Sequence, residues 1–114
     1  MHRRLGAATD WAAIVALYDS LLALTGSVVA ALNRALALSK VQGPQAGLRA
    51  LDAVAGDRRL QDYQPYWAAR ADLCDRAGRL QDAEAAYLRA IGLEVDPAVR
   101  ASLQARLAKL GSQP

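Results

Sequence analysis

Three short stripes recur in this chain at nearly constant spacing, and that recurrence limits the fold more than any other feature. Ala13, Gly47 and Ala83 are small residues separated by 34 and then 36 positions. Leu17, Leu51 and Tyr87 repeat at the same two intervals, as do Ser20, Val54 and Ala90. Steps of four and three within each set place its members on one face of a helix. A second register precedes it: Arg34-Ala35 maps onto Arg70-Ala71 and Lys40 onto Arg76, each 36 positions on. A unit of this length is a helix pair that cannot bury its apolar face alone and stacks on copies of itself. The first stripe has no such helix ahead of it, so the chain reads as starting halfway through a repeat.

The stretch WAARADLCDRAGRLQDAEAAYLRA, Trp67 to Ala90, is the most complete unit. Trp67, Ala71 and Cys74 make one apolar stripe, Gly78 a turn, and Ala83, Ala86, Tyr87 and Ala90 a second stripe. Small residues at Ala71, Ala83 and Ala90 let two backbones approach, while Trp67 and Tyr87 fill the space beside them. The unit resembles a tetratricopeptide repeat, with Arg70-Ala71 where that motif usually has Leu-Gly.

Composition and punctuation predict an all-α chain. Ala and Leu carry most of the 54% apolar fraction and Phe is absent, which favours helices over strands. A length of 114 residues suits one domain with a continuous core. Residues 1–8 read as a flexible tail. Thr9-Asp10 caps a helix over 10–25, Gly26-Ser27 separates it from a second over 27–42, and Gly43-Pro44 opens a third over 44–55. The charged stretch 57–64, DRRLQDYQ, reads as the longest connection. Helices over 65–77, 80–93 and 97–110 follow, with Gly111 as the last stop and 112–114 as a tail. The last helix sets Val99, Leu103, Leu107 and Leu110 against Arg100, Gln104, Arg106 and Lys109, the pattern of a cap. The expected architecture over 9–111 is a right-handed α-solenoid of about six antiparallel helices, with tetratricopeptide-like repeats and a C-terminal capping helix.

Little in the sequence can build chemistry. The one histidine is His2, in the expected tail, and the one cysteine, Cys74, falls on an apolar stripe where a thiol is inert. No metal-ligand spacing, phosphate loop or Ser-His-Asp set can be assembled. Neither catalysis nor a metal or other cofactor is expected. Asp72 and Asp75 share a helix face, but Arg76 and Arg79 nearby make them solvated ion-pair partners rather than acid and base. A single cysteine fits a reducing cytoplasm. Asn33-Arg34 interrupts the longest apolar run short of a membrane span, and the opening MHRRLGAATDW is not a secretory signal. The net charge is +3 with both signs interspersed, which argues against direct DNA binding.

Arg34 and Arg70 occupy positions the repeat usually gives to leucine, and a partly buried arginine needs a carboxylate or carbonyl partner. Two readings stay open. They are internal clamps, to a residue such as Asp52 or Asp72, or they hold a carboxylate or acidic peptide on the concave face.

Four motifs add a family likeness. They are W-x-x-I-x-x-L-Y-D at Trp11–Asp19, L-N-R-A at Leu32–Ala35, G-P-x-x-G-L at Gly43–Leu48 and A-R-A-D-L at Ala69–Leu73. In this order they resemble the C-terminal extension of bacterial extracytoplasmic-function RNA polymerase sigma factors that carry a tetratricopeptide-like tail, from Thr9 to Gly111. The family often has proline after the serine at Ser27, where Val28 stands, and histidines near Gln64 and Trp67. The resemblance implies a full protein that directs core RNA polymerase to promoters through regions that precede the extension and are absent from these residues. For this chain it implies a non-catalytic regulatory role in transcription initiation in the cytoplasm. Its partners would be the sigma promoter-binding domains, core polymerase or another regulatory protein. The expected contact residues, on a concave face of the second and fourth helices, are Asn33, Arg34, Lys40, Arg70, Asp72, Asp75 and Arg76. Homodimerisation through the N-terminal end stays open. So do a free-standing adaptor for an unrelated client peptide and a small-molecule sensor with a pocket under Tyr63, Tyr66 and Trp67.

Overall fold

The computed structural model describes residues 9–110; the expected tails at 1–8 and 112–114, His2 and the expected stop at Gly111 lie outside them. Within that span six α-helices follow one another without a strand. They are α1 Trp11–Thr25, α2 Val28–Gln42, α3 Pro44–Asp52, α4 Gln64–Arg76, α5 Leu80–Leu93 and α6 Pro97–Ala108. None of them is long and apolar enough to cross a membrane.

Local chemistry sets most of the boundaries. The Asp10 carboxylate accepts the Ala13 N–H at 3.0 Å and the Asp96 carboxylate the Ala98 N–H at 2.9 Å, each satisfying a donor the first turn leaves free. Gly26 ends α1 in the left-handed region at φ 63°, and the Ser27 hydroxyl caps α2 by accepting from Ala30 N–H at 3.3 Å. Gly78 turns the chain between α4 and α5 at φ 78°. Prolines open α3, α4 and α6 within the first turn, where the missing N–H has no helical partner to lose.

Neighbouring helices pack in sequence. α2 lies against both α1 and α3, α4 against α5, and α3–α4 and α5–α6 join these groups, within overall dimensions of 44 × 35 × 26 Å. One core cluster gathers Leu32, Leu48, Leu51, Tyr66, Leu73 and Cys74; a second holds Ala71, Ala86, Tyr87, Ala90 and Leu103, with Trp67 and Leu110 packed against both. Burying each of the larger side chains contributes about 1.5–3 kcal/mol.

Two segments depart from the expected layout. α3 stops at Asp52 rather than 55, and turns carry the chain through Gly56. The connection after it is also structured: Arg58–Leu60 forms a 3-10 turn whose cap is the Asp57 carboxylate, accepting Arg59 N–H at 2.9 Å. Leu60 is fully buried in the first cluster. Its apolar side chain plugs the core beneath a run otherwise rich in charge.

The repeat positions are buried unevenly. Leu51, Ala71, Ala83 and Ala90 are 0% exposed and Tyr87 is 2% exposed; Gly47 is buried and Trp67 half-buried. Ala13 and Leu17 are exposed, because α1 turns this face away from α2 and no other described element lies over it. Val99 on α6 is exposed as well, leaving Leu103 as that helix's buried residue.

Gly47 marks the closest approach of α2 and α3. A Cβ placed there would stand 2.8 Å from Ser39 Cβ, 3.0 Å from the Ala35 carbonyl oxygen and 3.0 Å from Leu73 Cδ1. Two of these neighbours are backbone or Cβ atoms, which cannot rotate away. Gly47→Ala is therefore expected to destabilise the fold by about 1–3 kcal/mol despite alanine's better helix propensity. Gly92 in α5 has nothing within 4 Å of such an atom, so Gly92→Ala is expected to stabilise by about 0.4–1 kcal/mol. Urea unfolding of both variants tests the contrast.

Candidate functional site

The seven expected contact residues do not form one site; the fold divides them into two ion-pair clamps and two grooves. The clamps come first because they account for the arginines. Arg34 Nε on α2 pairs with Asp19 on α1. Arg70 Nη2 on α4 pairs with Asp52 at the end of α3, at 2.8 Å. Each arginine reaches back to the helix before it, and Asp52 is one of the two partners the sequence proposed for these positions. The Arg70 side chain is 19% exposed, against 32% for Arg34, so the Arg70 pair is the better shielded. Burial pushes the pKa of the Tyr66 hydroxyl up, and the neighbouring Arg70 guanidinium pulls it part of the way back. The Nη1 of Arg70 is buried without a hydrogen-bond partner among the described residues, a cost of about 1–3 kcal/mol. The pair fixes where α4 sits against the end of α3.

Asn33 and Lys40 face a groove between α1 and α2. Trp11, Ile14 and Tyr18 form one wall, and Asn33, Leu36, Ala37 and Lys40 the other, around about 320 Å³. The Lys40 ammonium stands 5.9 Å from the centroid of the Trp11 ring, at the outer reach of a cation–π contact. An apolar floor with one amide and one ammonium at its rim suits a side chain or two of a partner. Its volume is at the lower end for enclosing a metabolite.

Asp72, Asp75 and Arg76 line a second, more polar cleft of about 280 Å³, with Tyr87 of α5 and Arg106 and Lys109 beyond it. Asp72 pairs with Arg76 one turn along at 3.2 Å, whereas Arg79 turns to Asp82 at 2.8 Å. Burial raises the pKa of Tyr87 here; Asp72 and Asp75 push it further up, and Arg106 and Arg76 oppose them. Asp72 is thus engaged as an ion-pair partner of Arg76, and Asp75 lines the same cleft.

The aromatic group fills space instead of opening it. Tyr66 is 1% exposed and meets Trp67 edge-on, centroids 5.0 Å apart at 83°. Trp67 Nε1 donates to the Gln61 carbonyl at 2.9 Å, and Arg89 Nη2 donates to the same carbonyl at 2.9 Å and to Asp62 at 2.8 Å. The Arg89 guanidinium lies 5.9 Å from the Trp67 ring centroid. Cys74 is fully buried and its thiol pKa is raised by burial, with Arg70 and Arg79 pulling the other way. No group of three or more metal-ligating side chains comes together among the described residues.

Sequence reasoning missed Trp11, Tyr18 and Arg89 as site-forming residues. Trp11, Ile14 and Tyr18 do fall at helical spacing, but on a face of α1 beside the repeat stripe and not on it. Arg89 carried no signal, since its partners lie in the connection before α4.

No family model matches the chain, and no solved structure does. It is similar to an uncharacterized protein of Rhizobium meliloti (strain 1021), with 37% identity over 106 residues covering 93% of this chain. The chain spans about a quarter of the length of that relative.

Two measurements check this layout. Double-mutant cycles on Arg70–Asp52 and Arg34–Asp19 should give coupling energies of about 1 kcal/mol and under about 0.5 kcal/mol respectively, in the order of their shielding. Iodoacetamide should modify Cys74 at least about 100-fold more slowly in the native protein than in urea; comparable rates would place the thiol at the surface.

Proposed function

We propose that the chain is a tetratricopeptide-like, right-handed α-solenoid that serves as a non-catalytic interaction and regulatory domain of a bacterial extracytoplasmic-function sigma factor. The observation that carries this reading is the ordered set of four motifs between Trp11 and Leu73. Support for the architecture comes from helices that pack in chain order and bury small residues at the repeat positions. The similar Rhizobium meliloti protein extends well beyond the matched stretch, as expected where a domain of this kind is one segment of a longer polypeptide. In this reading the domain works in the cytoplasm beside the promoter-binding regions of the same polypeptide or core RNA polymerase. It recognises them through the α1–α2 groove and the charged cleft of α4, and itself binds neither DNA nor metal.

The geometry changes which residues to test. Arg34 and Arg70 are engaged inside the fold, so Asn33 and Lys40 are the sharper probes of the groove and Asp75 of the cleft. Purified sigma promoter-binding domains and core polymerase serve as bait. The native chain is expected to be retained, and Lys40→Glu with Asn33→Ala to weaken retention about tenfold or more without changing the thermal midpoint. Retention of neither bait by the native chain would refute the sigma-factor assignment.

A further inference from the structure

The apolar arc of α1 is wider than the part of it that α2 covers. Trp11, Ile14 and Tyr18 face α2. The adjoining stripe, Ala13, Leu17, Leu21 and Leu24, follows steps of four, four and three and is solvent-exposed, with Leu17 at 58%, Leu21 at 38% and Leu24 at 83%. A helix normally buries its apolar stripe against a neighbouring element. The equivalent positions show what covers such a stripe. Gly47 and Leu51 on α3 are closed over by α2, with Ala35 and Ser39 at the near approach. Ala83, Tyr87 and Ala90 on α5 are closed over by α4, with Ala71 and Trp67 among the contacts. In both pairs a small residue stands at the centre of the covering helix, 36 positions apart as Ala35 and Ala71.

We infer that the Ala13–Leu17–Leu21–Leu24 face is a docking site for one amphipathic α-helix. That helix lies antiparallel to α1, carries a central alanine-sized residue flanked by larger apolar ones, and is tethered to the matching domain in the longer Rhizobium meliloti protein to which the chain is similar. Area separates this occupant from a second copy. α1 has 15 residues, about 22 Å of helix, and two copies meeting along it would bury on the order of 500 Å² in all, under half of the roughly 1,200 Å² at which stable interfaces begin. A tethered helix avoids the loss of translational freedom that such a small contact cannot offset. Polypeptide to supply it exists in the Rhizobium meliloti relative, most of whose length lies outside the matched stretch. The inference rests on the paired-helix part of the reading above and is independent of the sigma-factor assignment.

The test supplies a covering helix whose fit is known. A copy of residues 64–78, which hold α4 and its glycine turn, is inserted between Ala8 and Thr9, so that it meets α1 in the register in which α4 meets α5. The native chain should be monomeric by light scattering, and Leu17→Asp should leave its Tm unchanged while Leu51→Asp unfolds it. Insertion should raise Tm by about 5 °C or more. Leu17→Asp in the extended chain, or Trp67→Asp with Ala71→Asp inside the inserted copy, should abolish the rise. No rise in a monomeric chain overturns the inference, and so does a native dimer that Leu17→Asp dissociates, which would make a second copy the occupant. Equal tolerance of Leu17→Asp and Leu51→Asp would instead overturn the paired-helix reading beneath it.

Discussion

The rest of the structure depends on how closely α2 and α3 approach at Gly47. A single added carbon there would meet Ser39, the Ala35 backbone and Leu73 at once, so the separation of the pair is fixed by what is missing from the side chain. α4 and α5 use alanine for the same purpose: Ala71, Ala83 and Ala90 are all fully buried. Each alanine removes little apolar area from water, and the larger share of burial energy falls to residues beside the contact, such as Leu51, Tyr66 and Leu73. Tight backbones with large side chains at the flanks leave little room to repack. The buried Ser39 hydroxyl is fitted to this constraint: Ser39 Oγ donates to the Leu36 carbonyl at 2.6 Å, inside its own helix, and needs no partner across the interface.

The second determinant is the segment between α3 and α4, which works as a wedge. Leu60 enters the core from it, and its backbone at Gln61 receives both Trp67 and Arg89. Arg59 extends from the same turn to the Gly26 carbonyl at 3.4 Å, tying it to the α1–α2 corner. Asp57 holds that arginine through a 2.7 Å ion pair, and the hydrogen bond from Arg59 keeps the Asp57 carboxyl below its ordinary pKa. A connection that touches α1, α3, α4 and α5 sets how the helix groups sit relative to one another, and therefore how the α1–α2 groove and the α4 cleft are presented.

Most of the helical layout was legible in the sequence because it is written in local chemistry. Caps at Asp10, Ser27 and Asp96, first-turn prolines and left-handed glycines act over a few residues and can be read without the fold. What could not be read depends on contacts between distant segments. Leu60 sits in a run whose composition is that of a solvated loop, and only the neighbouring helices make it core. The carboxylate partners of the two arginines stayed ambiguous for a related reason. The arginines keep the 36-residue register, but Asp19 and Asp52 are 33 apart, so the partner shifts by three residues, most of a helical turn, between one clamp and the next. The groove was missed because α1 has two apolar faces and the repeat pattern drew attention to the other.

That two-sidedness bears on what kind of recognition this surface can support. With Arg34 and Arg70 turned to Asp19 and Asp52, the arginines that interrupt the repeat motif are internal struts. The charged cleft is internally balanced too, through Asp72–Arg76 and the opposing charges around Tyr87. Exposed pairs of this kind contribute about 0–1 kcal/mol and are screened by salt, so they orient a partner more than they hold it. The α1 stripe has the opposite character: apolar, set at helical spacing and without a charge among its four members. Attraction there follows area and shape, is insensitive to salt, and is short-ranged. A partner held by both features would be steered by the grooves and retained by α1, with the salt dependence of its association separated from the strength of its final contact.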